Sequence, residues 1–502
     1  MVRIITDYLD LSAAKYPDKV AVTDEMCEMT FLDIQSEAKK IATDIIHNNI
    51  FKKSILVFMD KSPRCVAAFM GVAYSGNFYT PMDTTMPISR IYNIIEILQP
   101  DVIIIDDKYV NILENDKIKG IKIIKYSSIH SIQIDELALK KVHNRIIDTD
   151  ILYVLFTSGS TGVPKGVIVS HRSVINHAEW AANAFSFDNN NIFANQSPFY
   201  FDHSILELFQ TIRNGATLHI VPTKLFSFPK KLMYFLAEKK IDTIIWVPSA
   251  LCYLANLGAV DKYFLPALKN ILFGGEVMPV KQLNIWRKVY PNNLFVNLYG
   301  PTEATDDSTY FIVNRNFSEE ESLPIGKHCE NTDVFILNER DELITDIDEV
   351  GELCIRGTSL AYGYYRNPEK TKMSFVQNPL NDIYEEKIYR TGDLVKYNSN
   401  DEIVYICRKD YQIKHNGRRI ELGEIDTVAS SYSGIDRCSA IYDEKNKQIV
   451  LYYSGECNID DLSIFLKANI PSYMLPNKFI KVKEMPLSNN GKINRIKLKE
   501  ML

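Results

Sequence analysis

The sequence predicts an α/β protein, and three observations predict it. From residue 54 onward, short β-branched runs (ILVFM, DVIIIDD, IKIIKYSS) alternate with amphipathic segments such as IYNIIEILQP, the order that builds largely parallel sheets covered by helices. Between 334 and 408 the segments VFILN, ELCIRG and EIVYICR alternate with period two, which reads as an antiparallel, β-rich subdomain. At 502 residues the chain is too long for a single core. The pattern resets at Arg408 to Gln412, so 1–409 is the expected large N-terminal domain and 410–502 a small C-terminal one.

Taken in order, residues 3–50 read as helical, with Thr30 placed to cap an amphipathic helix whose apolar positions are Phe31, Ile34, Ala38, Ile41 and Ile45. A strand at ILVFM, a helix from Arg64 to Tyr74 and a turn at Gly76 lead to the short strand FYTPMD. Beyond residue 170, helices near Ser173–Ala184, Lys230–Lys240, SALCYLANL and QLNIWRKVY alternate with the strands DTIIWVPSA, LKNILFGGE and NLFVNLYG. The closing module holds YQIKHNGRRIELGEID, the strands SAIYDE and QIVLYYSG, the helix DDLSIFLKANI and the terminal GKINRIKL.

Composition narrows the class. Hydrophobic residues at 46% and charged residues at 24% are ordinary for a globular protein. A net charge of −6 argues against a general nucleic-acid binder, whose footprint is basic. Asp7 and Asp10 interrupt the start where a signal peptide needs an unbroken apolar run, and no run approaches the roughly 20 residues that span a bilayer. A cytoplasmic monomer without membrane insertion is expected. The eight cysteines are scattered singly and read as reduced core thiols. The nine histidines show no HExxH spacing, which makes a structural zinc an unfavoured reading.

The most informative stretch is ILYVLFTSGSTGVPKGVIVS, residues 151–170. Two apolar strands flank a loop of Thr157, Ser158, Gly159, Ser160, Thr161, Gly162, Pro164, Lys165 and Gly166. Small residues let backbone N–H groups approach a polyanion, the hydroxyls add donors and Lys165 adds a positive charge. A Ser/Gly surface turn is the bland alternative. The loop is not a Walker A, because Gly326-Lys327 and Gly491-Lys492 are followed by His328 and Ile493 rather than by Ser or Thr.

Three further segments complete a constellation. NLYGPTEAT sets Tyr299 beside Gly300 and Pro301, followed by Thr302 and Glu303; the flat ring can stack on a base, and the carboxylate can hold Mg²⁺. YRTGDL puts Asp393 in a turn where a carboxylate can accept both hydrogen bonds of a ribose diol. NGKINR carries Lys492 near the end of the small module.

Together with MTFLDIQSEA, GVAYSGNFYTPMD, FDHSILELF, GELCIRGTSLAYGYYRNPEKT, RKDYQIKHNGRRIELGEID and IPSYMLP, these motifs resemble the ordered core motifs of the adenylate-forming superfamily over nearly the whole chain. Within it the chain resembles free-standing amino-acid adenylation domains of the nonribosomal peptide synthetase and D-alanine:carrier protein ligase type. The resemblance implies a large domain of two α/β sheets plus a β-rich subdomain, and a mobile α+β lid hinged at Asp410. It implies ATP and Mg²⁺ as cofactors. The loop Thr157–Lys165 would hold the β- and γ-phosphates, Thr302 a phosphate oxygen, Glu303 the Mg²⁺ and Tyr299 the adenine face, with Gly275, Glu276 and Gly300 also binding ATP. Asp393 and Arg408 would hold the ribose, and Lys492 would neutralise charge between substrate carboxylate and α-phosphate. Gly417 would border a pantetheine arm. The family's usual glycine before Arg408 is Cys407 here.

For the substrate, the resemblance places Asp202 on an α-ammonium, a charge-assisted contact that an acyl or aryl acid could not repay; capping the helix SILELF is the alternative role. The pocket positions carry over as His203, Leu206, Trp246, Leu272, Gly274, Leu298, Asp306 and Asp307. The two aspartates are unusual there. If they face the substrate they must be paired or protonated, which points to a basic or amine-bearing amino acid; if they point to solvent or cap a turn, a small neutral amino acid such as D-alanine fits. No carrier segment follows Lys492 in this sequence, so the expected acceptor is a phosphopantetheinylated carrier protein in trans. An acyl-CoA synthetase and a non-catalytic adenylate-binding subunit are the alternative functions.

Overall fold

The computed structural model describes residues 2–113, 116–159, 163–487 and 493–502, residue 116 by its backbone alone. Thr30 caps its helix as the spacing requires. Its side chain accepts from Asp33 N, and the Asp33 carboxylate returns the bond to Thr30 N, at the head of the helix Phe31–His47. Residues 3–50 are not wholly helical. Val20–Thr23 and Glu28–Thr30 are strands, too short for a local period to declare them and formed by pairing with Thr217–Ile220 and with each other.

Two large sheets carry the architecture. In the first, the strands run in the order Lys122–Lys125, Val102–Ile105, Ser54–Phe58, Phe78–Pro81, Ile151–Thr157 and Lys165–Ser170. The second has, as neighbours, Leu294–Tyr299, Asn270–Gly274, Thr243–Trp246, Ile192–Asn195, Thr217–Ile220 and Val20–Thr23, all parallel. Antiparallel strands flank it, Thr309–Ile312 and then Lys327–His328 on one side and Glu28–Thr30 on the other. The predicted β-rich subdomain is an antiparallel sheet of Thr332–Leu337, Gly351–Gly357, Lys387–Tyr397 and Phe375–Gln377, with Ile403–Arg408 alongside. The fold is thus the expected mixed α/β class, with a larger N-terminal part and a smaller C-terminal one.

The chain divides into two compact units. The first takes Met1–Asp83, Pro100–Leu155 and Val167–Cys407; the second takes Thr84–Gln99, Phe156–Gly166 and Arg408–Leu502. In the first unit, strand residues alternate between two cores. Ile245, Leu272, Val296 and Leu298 enter one, while Ile244, Trp246, Ile271 and Phe273 enter the other. In the second, the antiparallel pair Ile435–Asp443 and Gln448–Gly455, joined in parallel by Lys478–Lys481, packs on the helices Leu422–Ser430 and Ile459–Asn469 through Ile425, Leu462 and Leu466. Among the described residues no helix is long and apolar enough to cross a membrane.

Candidate active site

Three parallel strands of the second sheet deliver predicted residues at their carboxyl ends, where parallel α/β sheets present ligand-binding loops. Asp202 follows Ile192–Asn195, Gly274 closes Asn270–Gly274 with Gly275 and Glu276 just beyond it, and residues 299–307 follow Leu294–Tyr299. Gly275 has φ +85°, a left-handed conformation that favours glycine. It turns the chain so that Glu276 accepts from Ser249 N at 2.9 Å.

Residues 299–307 contain three chemistries in nine positions. Tyr299 ends its strand, and its hydroxyl donates to Asp393 Oδ2 at 2.6 Å, both side chains being buried. Asp393 is fixed in turn, its N–H bonded to Thr391 Oγ1 and that hydroxyl to Leu353 O. Gly300 is required by space, since a Cβ there would stand 1.9 Å from Asp306 O. The short turn Thr302–Ala304 buries Glu303 completely, with Oε1 accepting from Tyr364 Oη at 2.7 Å. A hard cation bound through one carboxylate and nucleotide phosphate oxygens needs a single fixed oxygen donor, and Glu303 fits that requirement. Thr305 and Asp306 then take φ +57° and +68°, two successive strained residues of the kind found at binding sites. Their turn is tied by Thr305 Oγ1 to Ser359 O at 2.6 Å.

The acidic pair is not on the surface. Asp306 and Asp307 are 5% and 4% exposed, which removes the solvent-facing reading. Burial, then the neighbouring carboxylates, pushes both carboxyls above their ordinary range. Asp202 contributes to that repulsion on each of them. Asp202 itself sits half-buried in the turn Asp202–Ser204 and accepts from His203 N at 2.9 Å. The helix Ile205–Asn214 has no side-chain cap, so the capping role is not taken up.

Two contacts were not foreseen from the sequence. His177, on the helix His171–Phe185, places Nε2 3.2 Å from Asp307 Oδ2. Beneath the Asp202 turn, Glu207 is fully buried against the Asn195 amide. Burial lifts its carboxyl to about 8, opposed by Asn195 and by Lys61; Lys61 Nζ reaches Asn195 O and Gln196 O at 3.3 and 3.1 Å. Their signals were faint, a lone histidine in HRSVINHAEW and the glutamate inside FDHSILELF.

Among the predicted pocket residues, Leu206, Leu272 and Leu298 share one core, and Gly274 lies close against Leu298, a Cβ there standing 2.9 Å from Leu298 O. Trp246 is not brought to them. Its ring lies in the second core 5.2 Å from Phe226, and Nε1 donates to Ala194 O at 2.8 Å.

In the second unit, a Cβ on Gly159 would stand 1.9 Å from Val163 O, so only glycine fits that turn. Ser158 Oγ donates to Arg419 O, and Lys165 Nζ lies 3.8 Å from Glu421. Thr157 Oγ1 makes a long 3.5 Å contact with Lys165 O. Arg408 is a fork on Asp410, at 2.9 and 2.7 Å. Asn416 and Gly417 are both left-handed, φ +51° and +72°, the two-residue hairpin turn that Asn-Gly favours; the turn alone demands that glycine. Ser160, Thr161, Gly162 and Lys492 lie outside the described residues.

Residues 9–365 match the family described as AMP-binding enzyme. The chain belongs to the AMP-binding enzyme family. It is 30% identical over 95% of its length to the zwittermicin A synthase ZmaJ of Bacillus cereus, covering 91% of that protein. To tyrocidine synthase 1 of Brevibacillus parabrevis it is 31% identical over 97% of its length, there covering only 44% of the relative. Among solved structures, the Vibrio cholerae adenylation domain AlmE superposes with a TM-score of 0.85 at 20% identity, over 99% of this chain and 97% of that one. PA1221, which contains adenylation and carrier (PCP) domains, superposes at 0.83 with 23% identity, over 99% and 84%. As an AMP-binding enzyme the protein is an AMP-forming ligase, and it uses ATP.

Proposed function

We propose that the protein activates an amino acid with ATP, forming an aminoacyl-adenylate, and then passes the aminoacyl group to the phosphopantetheine thiol of a carrier protein. The observation that carries this reading is that residues 299–307 hold a buried tyrosine fixed on Asp393, a fully buried glutamate fixed by Tyr364 and a buried acid pair in one loop, with Asp202 following another strand of the same sheet. AlmE, whose fold this chain shares, was solved with glycyl-adenosine-5'-phosphate, and PA1221 joins an adenylation domain to a carrier domain; both support it.

In the first half-reaction the substrate carboxylate attacks the α-phosphate and pyrophosphate leaves, so catalysis is chiefly positioning and electrostatic stabilisation. Tyr299, with Gly275, Glu276 and Gly300, borders the adenine, and Asp393 with Arg408 takes the ribose. Thr302 and the loop Thr157–Lys165 hold phosphate oxygens. Mg²⁺, when bound, neutralises developing phosphate charge; Glu303, fixed by Tyr364, is its holder. Lys492 bridges the carboxylate and α-phosphate. In the second half the thiol attacks the acyl carbon and AMP leaves. Between the two halves residues 410–502 turn as a lid about Asp410, and the Gly417 hairpin borders the pantetheine arm.

Asp202 pairs with the substrate's α-ammonium. The buried Asp306 and Asp307 favour a basic or amine-bearing side chain over a small neutral one, because an unpaired carboxylate there is costly. ATP–pyrophosphate exchange across a panel of amino, fatty and aryl acids tests the reading. Exchange only with amino acids is expected; exchange only with fatty or aryl acids defeats it.

A further inference from the structure

The buried trio of His177, Asp306 and Asp307 is more specific than an acid pair. One nitrogen and two carboxylate oxygens, drawn from the helix His171–Phe185 and from the strained turn after Thr305, all lie within 4.8 Å of one another. His177 Nε2 stands 3.2 Å from Asp307 Oδ2 and 4.0 Å from Asp306 Oδ2, and His203 Nδ1 stands 3.9 Å from Asp306 Oδ1. Asp306 Oδ2 has no hydrogen-bond partner among the described residues, and neither does the adjacent Ser308 Oγ, although both are buried. Such groups are nearly always satisfied in a native protein. A ligand that donates several hydrogen bonds would satisfy them.

We propose that His177 is a specificity-determining residue, and that with Asp306 and Asp307 it forms a cradle for the ammonium group at the end of the substrate's side chain. This rests on the amino-acid adenylation reading and names the feature of the substrate that the site selects. With His177 Nε2 donating to Asp307, that nitrogen has no lone pair for a metal ion, and the unpartnered Asp306 Oδ2 is left to accept from an ammonium. The imidazole's part is to donate to Asp307 and hold it, which makes His177 a positioning residue rather than a catalytic one. Asp202, Glu207 and Cys329 also face the pair electrostatically, and none of them supplies a cation.

The test is pyrophosphate exchange by wild type, His177→Leu and His177→Gln with 2,3-diaminopropionate, 2,4-diaminobutyrate, ornithine and lysine, each against a neutral amino acid of matching length. Wild type should favour one of the amines. In His177→Leu that preference should fall roughly ten- to hundredfold, through KM for the amine. His177→Gln, which keeps an N–H near the Nε2 position, should restore most of it, which a merely structural loss would not allow. Equal loss for amine and neutral partner, or a wild-type preference for neutral amino acids, overturns the cradle while leaving adenylation intact. Stoichiometric zinc in the purified wild type that is lost from His177→Leu overturns it in favour of a metal centre. If no amino acid supports exchange, the adenylation reading itself fails. Calorimetry with ornithine then decides the cradle: binding that His177→Leu abolishes supports it, and no binding by wild type overturns it.

Discussion

The hydroxyl of Tyr299 donates to the carboxylate of Asp393 at 2.6 Å, joining the end of a parallel strand to the interior of Lys387–Tyr397, a strand of the antiparallel sheet where the sequence predicts a turn. In the proposed function one residue borders the base and the other holds the ribose, so this bond sets the distance between two nucleotide contacts. Tyr299→Phe keeps the ring and deletes the bond. A hydrogen bond to a charged group contributes about 1.5 to 3 kcal/mol, so KM for ATP in the exchange assay should rise roughly ten- to hundredfold with little change in thermal midpoint. A KM within twofold of wild type would show that Asp393 is positioned by Thr391 alone.

In the proposed function Glu303 and Tyr364 form the corresponding pair on the metal side. Glu303→Gln preserves size and an acceptor for the Tyr364 hydroxyl but removes the charge. Exchange activity should drop by at least about a hundredfold, with stability held or raised because a fully buried carboxylate is gone. Tyr364→Phe should instead raise the Mg²⁺ concentration needed for half-maximal rate. An unaltered Mg²⁺ titration in Tyr364→Phe would separate that hydroxyl from metal binding.

The close turns at Gly159 and Gly300 were legible because their geometry is local. Gly159 and Gly300 each sit where a Cβ would meet backbone at 1.9 Å, so a few consecutive residues carry the whole constraint. The strands Val20–Thr23 and Glu28–Thr30 were illegible for the opposite reason, their existence depending on partners far along the chain. Trp246 shows how one step of strand phase matters: it pairs in register with Phe273 rather than with Leu272, and that sends the indole to the other core. His177 was hidden because a single histidine on an amphipathic helix has no period or spacing to mark it.

The acid pair makes stability depend on pH. Burial raises both carboxyls above the ordinary 3.8, so above about pH 4 the folded chain keeps protons that the unfolded chain has lost, and the pair's contribution to stability falls as pH rises. Asp307→Asn removes one of these titrations. Its thermal midpoint relative to wild type should therefore climb between pH 5 and pH 9, by the equivalent of about 1 to 3 kcal/mol. Parallel midpoint curves for the two proteins would mean that Asp307 titrates normally. A cationic side chain bound in the pocket reverses the sign, since it stabilises the ionised pair.

In the second unit the guanidinium of Arg90, on the helix Ile88–Leu98, pairs with Glu424, on the helix Leu422–Ser430; the residues are 5% and 0% exposed. Burial pushes the Glu424 carboxyl up and Arg90 opposes that rise. Breaking such a pair from one side leaves an uncompensated buried charge, at a cost of about 3 to 5 kcal/mol. Arg90→Met should lower the unfolding free energy of this unit by that amount. Replacing both partners together, Arg90→Met with Glu424→Leu, should recover most of the loss, because the apolar pair has no charge to desolvate. A double-mutant cycle in urea measures the coupling. Additive losses would show that the two side chains act independently, and that the helix Ile88–Leu98 is held in this unit by its apolar face instead.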